Sequence, residues 1–133
     1  MKWKVGFLAI FAGLVAVLLT ACSTGSAQGN GAPRAVEAYL NALVANDANK
    51  ALNLTCAAYE ADAKMEIASF GAVKAHLQDT SCKQSGTDGQ YTLVSCSGAI
   101  VANYNGEDQE IKLAERTFQA VQEGGEWRMC GYH

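Results

Sequence analysis

The stretch from Gln90 to Tyr132 most constrains what this chain can fold into. It holds three β-rich runs joined by Asn105-Gly106 and Gly124-Gly125, dipeptides suited to two-residue hairpin turns because they tolerate positive φ. Strands joined this way form an antiparallel meander. One apolar face of that sheet must be covered, and the Ala- and Leu-rich segments between Pro33 and Leu77 are the candidates to cover it. The sequence therefore predicts one α+β domain over residues 33–133, with N-terminal helices packed on a curved antiparallel meander.

Inside the meander, Val94, Cys96, Ile100, Ala102 and Tyr104 share one face, with Gly98 among them. A glycine there predicts a bend, a bulge or a close approach by a helix. From Glu107 to Gln122 the alternation changes phase, with Ile111 and Leu113 on one parity and Phe118 and Ala120 on the other. A single bulge near Ala114 to Thr117 would bring both pairs onto the core face and curve the sheet. In the last run Trp127 and Met129 have one parity and Arg128, Cys130 and Tyr132 the other. Trp127 and Cys130 therefore cannot both face the core of a regular strand.

The covering segments are also legible. Pro33 suits the first turn of a helix, and Val36, Tyr39, Leu40, Leu43 and Val44 recur at helical spacing to about Ala45. Asp47 is a fair N-cap for a short second helix. A third segment, Ala57 to Ala68, ends either as helix or as extended chain, and Phe70-Gly71 breaks it. From Leu77 to Gln84 a weak strand is interrupted by Asp79, and Ser85 to Gly89 reads as its turn.

The N-terminus has a different composition. Met1 to Lys4 is basic, Val5 to Leu19 is uncharged and apolar, and small residues follow, the form of a secretory signal segment and short for a spanning helix. Leu19-Thr20-Ala21-Cys22 resembles the lipobox of bacterial lipoproteins. That resemblance implies cleavage after residue 21, diacylglyceryl and palmitate-type acylation at Cys22, and a lipid anchor on the extracytoplasmic side of a bacterial membrane. Residues 22–32, rich in Ser, Gly, Asn and Gln, read as a flexible tether, with the irregular composition continuing to Arg34. Loss of Lys2 and Lys4 with the signal would shift the net charge from -3 to -5. Such a domain has no basic patch for nucleic acid or anionic lipid.

With Cys22 acylated, Cys56, Cys82, Cys96 and Cys130 remain, an even number for an exported domain. They form no CxxC and have no histidine at ligand spacing, which favours two disulfides over zinc. Cys82 with Cys96 and Cys56 with Cys130 is the preferred pairing. The first would join strands flanking the Ser85–Gly89 turn, although equidistant register about that turn puts Cys82 nearer Leu93, so a bulge or an offset is needed. The second would pin the helical layer to the last strand.

The stretch Ala35 to Leu43 with Asp47 and Ala51, and the closing Phe118 to Cys130, resemble the NTF2-like (cystatin-like superfamily) domains of bacterial lipoproteins. The resemblance implies that fold across the domain, with a pocket between sheet and helices. Its members range from steroid isomerases and dehydratases to plain binding and scaffold domains. Isomerase chemistry needs a buried acid or histidine as base with a tyrosine or protonated acid as donor. Asp62, Glu66, His76, Tyr59, Tyr91, Glu115 and Arg116 are present by type. Asp62 and Glu66, like charges four residues apart, read as solvent-exposed. His76 reads as a surface residue and His133 as frayed. Tyr39, Tyr59 and Tyr104 read as closing the core with their hydroxyls at its edge.

No catalytic, cofactor-binding or metal site is assigned from these residues. The expected function is a non-catalytic, membrane-anchored lipoprotein domain that binds a small ligand or an envelope protein. The alternatives are a small-molecule isomerase or dehydratase, and an envelope scaffold working through an exposed Trp127–Met129 face.

Overall fold

The computed structural model describes residues 28–133. The signal-like segment, Cys22 and most of the expected tether lie outside the described residues.

Helix α1 spans Gln28–Val44, and its stripe of Val36, Tyr39, Leu40 and Leu43 is buried to within 2%. Pro33 lies inside this helix rather than in its first turn, and Ala32 and Pro33 are both buried. The tether reading is thus corrected from residue 28 onward, and the domain starts at least five residues before Pro33. Packing explains the difference. Gly31 meets the Trp127 indole so closely that a Cβ there would overlap the ring, so a composition that reads as linker is held as helix by tertiary contact.

Asn46, at φ 56°, turns the chain into α2, Ala48–Asn53, whose N-cap Asp47 accepts a hydrogen bond from the Lys50 amide at 3.1 Å. A 3-10 turn, Ala57–Tyr59, leads into α3, Glu60–Phe70. The third segment therefore ends as helix, and Gly71 stops it.

Five strands follow: β1 Lys74–Asp88, β2 Tyr91–Tyr104, β3 Glu107–Lys112, β4 Thr117–Glu123 and β5 Glu126–Tyr132. All pairings between them are antiparallel, in the order β1-β2-β4-β5, and β3 shares with β4 the same edge of β2. Asn105 and Gly106 adopt φ of 53° and 89°, and Gly124 and Gly125 of 60° and 80°, as their hairpin turns require. Among the described residues no helix is long and apolar enough to cross a membrane.

Irregularities give the sheet its curve. Between β3 and β4 the 3-10 turn Leu113–Glu115 sets four residues, 113 to 116, against three of β2, 96 to 98. That one extra residue absorbs the phase change and leaves Leu113, Phe118 and Ala120 all in the core. In β1, Asp79 and Thr80 oppose Gly98 alone. Any Cβ at Gly98, whose φ is 84°, would strike the carbonyls of Gln78 and Asp79. The close approach at Gly98 thus comes from a neighbouring strand and not from a helix.

The first hairpin is longer than its composition suggests. Pairing continues to Asp88 opposite Tyr91, so the turn is Gly89-Gln90 rather than Ser85–Gly89. An offset between Gln84 and Gly86 then sets Cys82 directly opposite Cys96. These two cysteines are disulfide-bonded with Cα atoms 4.1 Å apart, and Cys56 is bonded to Cys130 at 5.2 Å. In β5, Met129 faces Ala120 and Tyr132 faces Phe118, so Cys130 and Gly131 together oppose one residue of β4. The strand is irregular, with Gly131 at φ 107°. That resolves the parity conflict: Met129 is fully buried, Trp127 is half-buried against α1, and Cys130 is still turned toward Cys56. An open Trp127–Met129 face is therefore not a feature of this domain.

Candidate functional site

Helix α3 carries the most concentrated polar chemistry into the interior. Tyr59, Ala63, Glu66, Ile67 and Phe70 recur at spacings of three and four, the pattern of one helix face. Ala63 is fully buried, and Tyr59, Ile67 and Phe70 pack on the core. Glu66 follows them inward, with its side chain 13% exposed. Its Oε2 accepts hydrogen bonds from the hydroxyls of Tyr39 at 2.6 Å and Tyr59 at 3.2 Å. Its Oε1 accepts from the Tyr132 hydroxyl at 3.2 Å, and the Arg116 guanidinium lies 3.9 Å away. Arg116 also stacks over the Tyr132 ring, its Cζ 4.3 Å from the centroid. Five segments thus converge on one carboxylate: α1, the 3-10 turn before α3, α3 itself, the residue leading into β4 and the end of β5.

The electrostatics suit a charged acceptor surrounded by neutral donors. Burial, then the hydrogen bond to Glu66 and its charge, pushes the Tyr39 hydroxyl far above the ordinary tyrosine range. Burial followed by the charge of Glu66 does the same to Tyr59. Tyr132 is raised by burial and by Glu66, against a lowering pull from Arg116. The Glu66 carboxylate thus accepts from three hydroxyls beside a guanidinium, which leaves little of its acceptor capacity free. A group held this way acts as a cross-link between segments.

Glu66 is therefore not the solvent-exposed partner of Asp62. Asp62 is exposed as expected, and only Glu66 turns in. The spacing of Glu66 from Tyr59 and Ala63 carried that signal, but the like-charge pair hid it. His76 and Glu115 are exposed and Tyr91 is half-buried. Tyr39 and Tyr59 do close the core with their hydroxyls at its edge, whereas Tyr104 is 41% exposed and does not. His133 is not frayed. Its backbone pairs with Thr117 in both directions, at 2.8 and 3.1 Å.

Between the layers the space is filled by Tyr39, Phe118, Leu40, Leu43, Ile100, Leu113 and Met129, each at most 2% exposed. Among the described residues, open clefts lie elsewhere, at the bulges of the sheet. One, of about 260 Å³, is bounded by Gln78, Asp79, Gly98, Glu110 and Lys112. Another, of about 320 Å³, is bounded by Ser81, Lys83, Ser95 and Ser97, and Ala114 borders both. Among the described residues no three His, Cys, Asp or Glu side chains are grouped to hold a metal ion.

No family model and no curated protein matches the chain. Among solved structures, it is similar to a SEC-C motif containing protein from Rhodopseudomonas palustris, determined in solution. The TM-score is 0.52 at 12% identity, over 79% of this chain and 80% of that one. At that identity the likeness is one of fold: helices first, then a curved antiparallel sheet.

Proposed function

We propose that this protein is an exported, lipid-anchored domain of NTF2-like architecture that is non-catalytic and binds an envelope protein partner through the outer face of its sheet. The observation that carries this reading is the state of the interior. The space where an isomerase or dehydratase would keep its pocket is filled by core side chains, and the carboxylate that α3 turns inward, Glu66, is engaged by three hydroxyls of its own chain. Among the described residues, open clefts lie on the bulged outer surface around Gly98, with Lys83 and Lys112, Asp79 and Glu110, and the hydroxyls of Ser81, Ser95 and Ser97. Two disulfides agree with an oxidising compartment. The lipobox resemblance at Cys22 supplies the anchor.

A photo-crosslinking residue placed at Ser97 on the outer face, and separately at Lys64 on the exposed helical face, tests the reading in the membrane-bound protein. A discrete protein adduct from position 97 and none from position 64 is expected. Adducts confined to position 64, or substrate turnover abolished by Glu66→Gln, would overturn it. The anchor is tested separately by the mass of the N-terminal peptide and by Cys22→Ser, expected to move the protein from the membrane to the soluble fraction.

A further inference from the structure

The start of α1 sets how the domain is held at the membrane. Helix α1 begins at Gln28, and its first turns are fixed to the sheet through the Gly31–Trp127 contact and the burial of Ala32 and Pro33. Only Ser23 to Ala27 separate Cys22 from that fixed point. At no more than about 3.6 Å per residue, that interval reaches about 20 Å.

The sheet is longer than this reach. Strand β2 has 14 residues, about 45 Å at roughly 3.3 Å each. Trp127 pairs with Gln122 beside the Gly124-Gly125 turn, and the pairing of Thr92 with Ala120 puts the Gly89-Gln90 turn at the same end. The Asn105-Gly106 turn and Tyr104 lie at the other end of β2.

From this geometry, and resting on the Cys22 anchor proposed above, we propose that the end of the domain bearing the α1 N-terminus and the Gly89-Gln90 and Gly124-Gly125 turns faces the bilayer surface. The Asn105-Gly106 turn then points away from it. The tether is shorter than half the sheet, so the near end stays within about 20 Å of the lipid, and the far end meets the lipid only when the domain lies flat along it. Charge does not set this orientation. The membrane-facing turns carry Asp88, Glu123 and Glu126, all exposed, which gives them no attraction for anionic headgroups. The bilayer acts as a wall against which a short leash holds one end.

Removal of residues 1–21 takes Trp3 with it and leaves Trp127 as the tryptophan of the mature chain, which makes the test direct. The mature lipoprotein is placed in phosphatidylcholine vesicles bearing a headgroup-linked energy acceptor. Transfer from Trp127 is expected to exceed, several-fold, that from a Tyr104→Trp/Trp127→Phe variant. A long Gly/Ser insert between Ala27 and Gln28 is expected to bring the two values together.

Equal transfer from both positions in a protein that floats with the vesicles overturns the orientation and leaves the anchor standing. Failure to float, with Cys22 unmodified by mass, overturns both. If Trp127→Phe unfolds the domain, Tyr104→Trp alone serves. A distant second donor lowers the mean transfer, and an unchanged or higher mean overturns the proposal.

Discussion

Glu66 is where a single residue decides most. Its carboxylate is the shared acceptor of the Tyr39, Tyr59 and Tyr132 hydroxyls. Glu66→Ala strands those donors and is expected to cost about 1–3 kcal/mol, read as a lower urea midpoint with an unchanged slope. Glu60→Ala removes only the exposed pair with Lys64 and is expected to leave the midpoint where it is. The same cluster sets the alkaline limit. All three tyrosines are raised in the folded protein. Below about pH 10 the folded and unfolded chains hold these protons equally. Above it the unfolded chain releases them while the folded chain keeps them, so stability falls as pH rises. Tyrosinate absorbance from these rings should therefore appear together with unfolding, and a gradual rise in a still-folded protein would contradict this account. Sequence reasoning placed Tyr39 and Tyr59 correctly but read Glu66 as a surface charge. A like-charge neighbour four residues away is visible in the sequence, whereas three tyrosines arriving from other segments are not.

Among the elements, turns and periodicity carried most of the fold. The hairpins at Asn105-Gly106 and Gly124-Gly125, the Asp47 cap and the bulge after Leu113 were all legible, because each is a local conformational demand. What was not legible depends on contacts between distant segments. The first turns of α1 are helical because Gly31 meets Trp127, 96 positions later in the chain, and the β1–β2 turn sits at Gly89-Gln90 because pairing runs on to Asp88. Gly98→Ala tests one such contact. Its Cβ would meet the Gln78 and Asp79 carbonyls at φ 84°, so a loss of at least about 1–3 kcal/mol is expected from backbone strain, measured by chemical denaturation. The disulfides rank by the loops they close. Sequence separations of 74 and 14 correspond in the chain-entropy account to about 4.5 and about 3 kcal/mol. A Cys56→Ala/Cys130→Ala protein should therefore melt below a Cys82→Ala/Cys96→Ala protein, and the reverse order would show that strain or unfolded-state structure outweighs loop length.

For the whole molecule, the elements that seal the sheet are also those that join its layers. The outer edge of β5 is occupied by Leu54 to Cys56, through Cys56 N–H to the Met129 carbonyl and Met129 N–H to the Leu54 carbonyl, both at 2.8 Å. On β1, the Cys82 amide donates to the Glu37 carboxylate of α1 at 2.8 Å. Each contact lies beside a disulfide, so edge protection and cross-linking fall at the same two places. The two bridges are nested: Cys82 and Cys96 pair inside the span closed by Cys56 and Cys130. A chain that enters an oxidising space N-terminus first presents Cys56 and Cys82 before their proper partners. An oxidase acting on thiols in order of arrival would join those two, a linkage that neither native pair contains. If the chain is exported as proposed above, its maturation would depend on a catalyst that reshuffles bonds as well as one that makes them, and cells lacking such a reshuffling enzyme should accumulate the Cys56–Cys82 isomer.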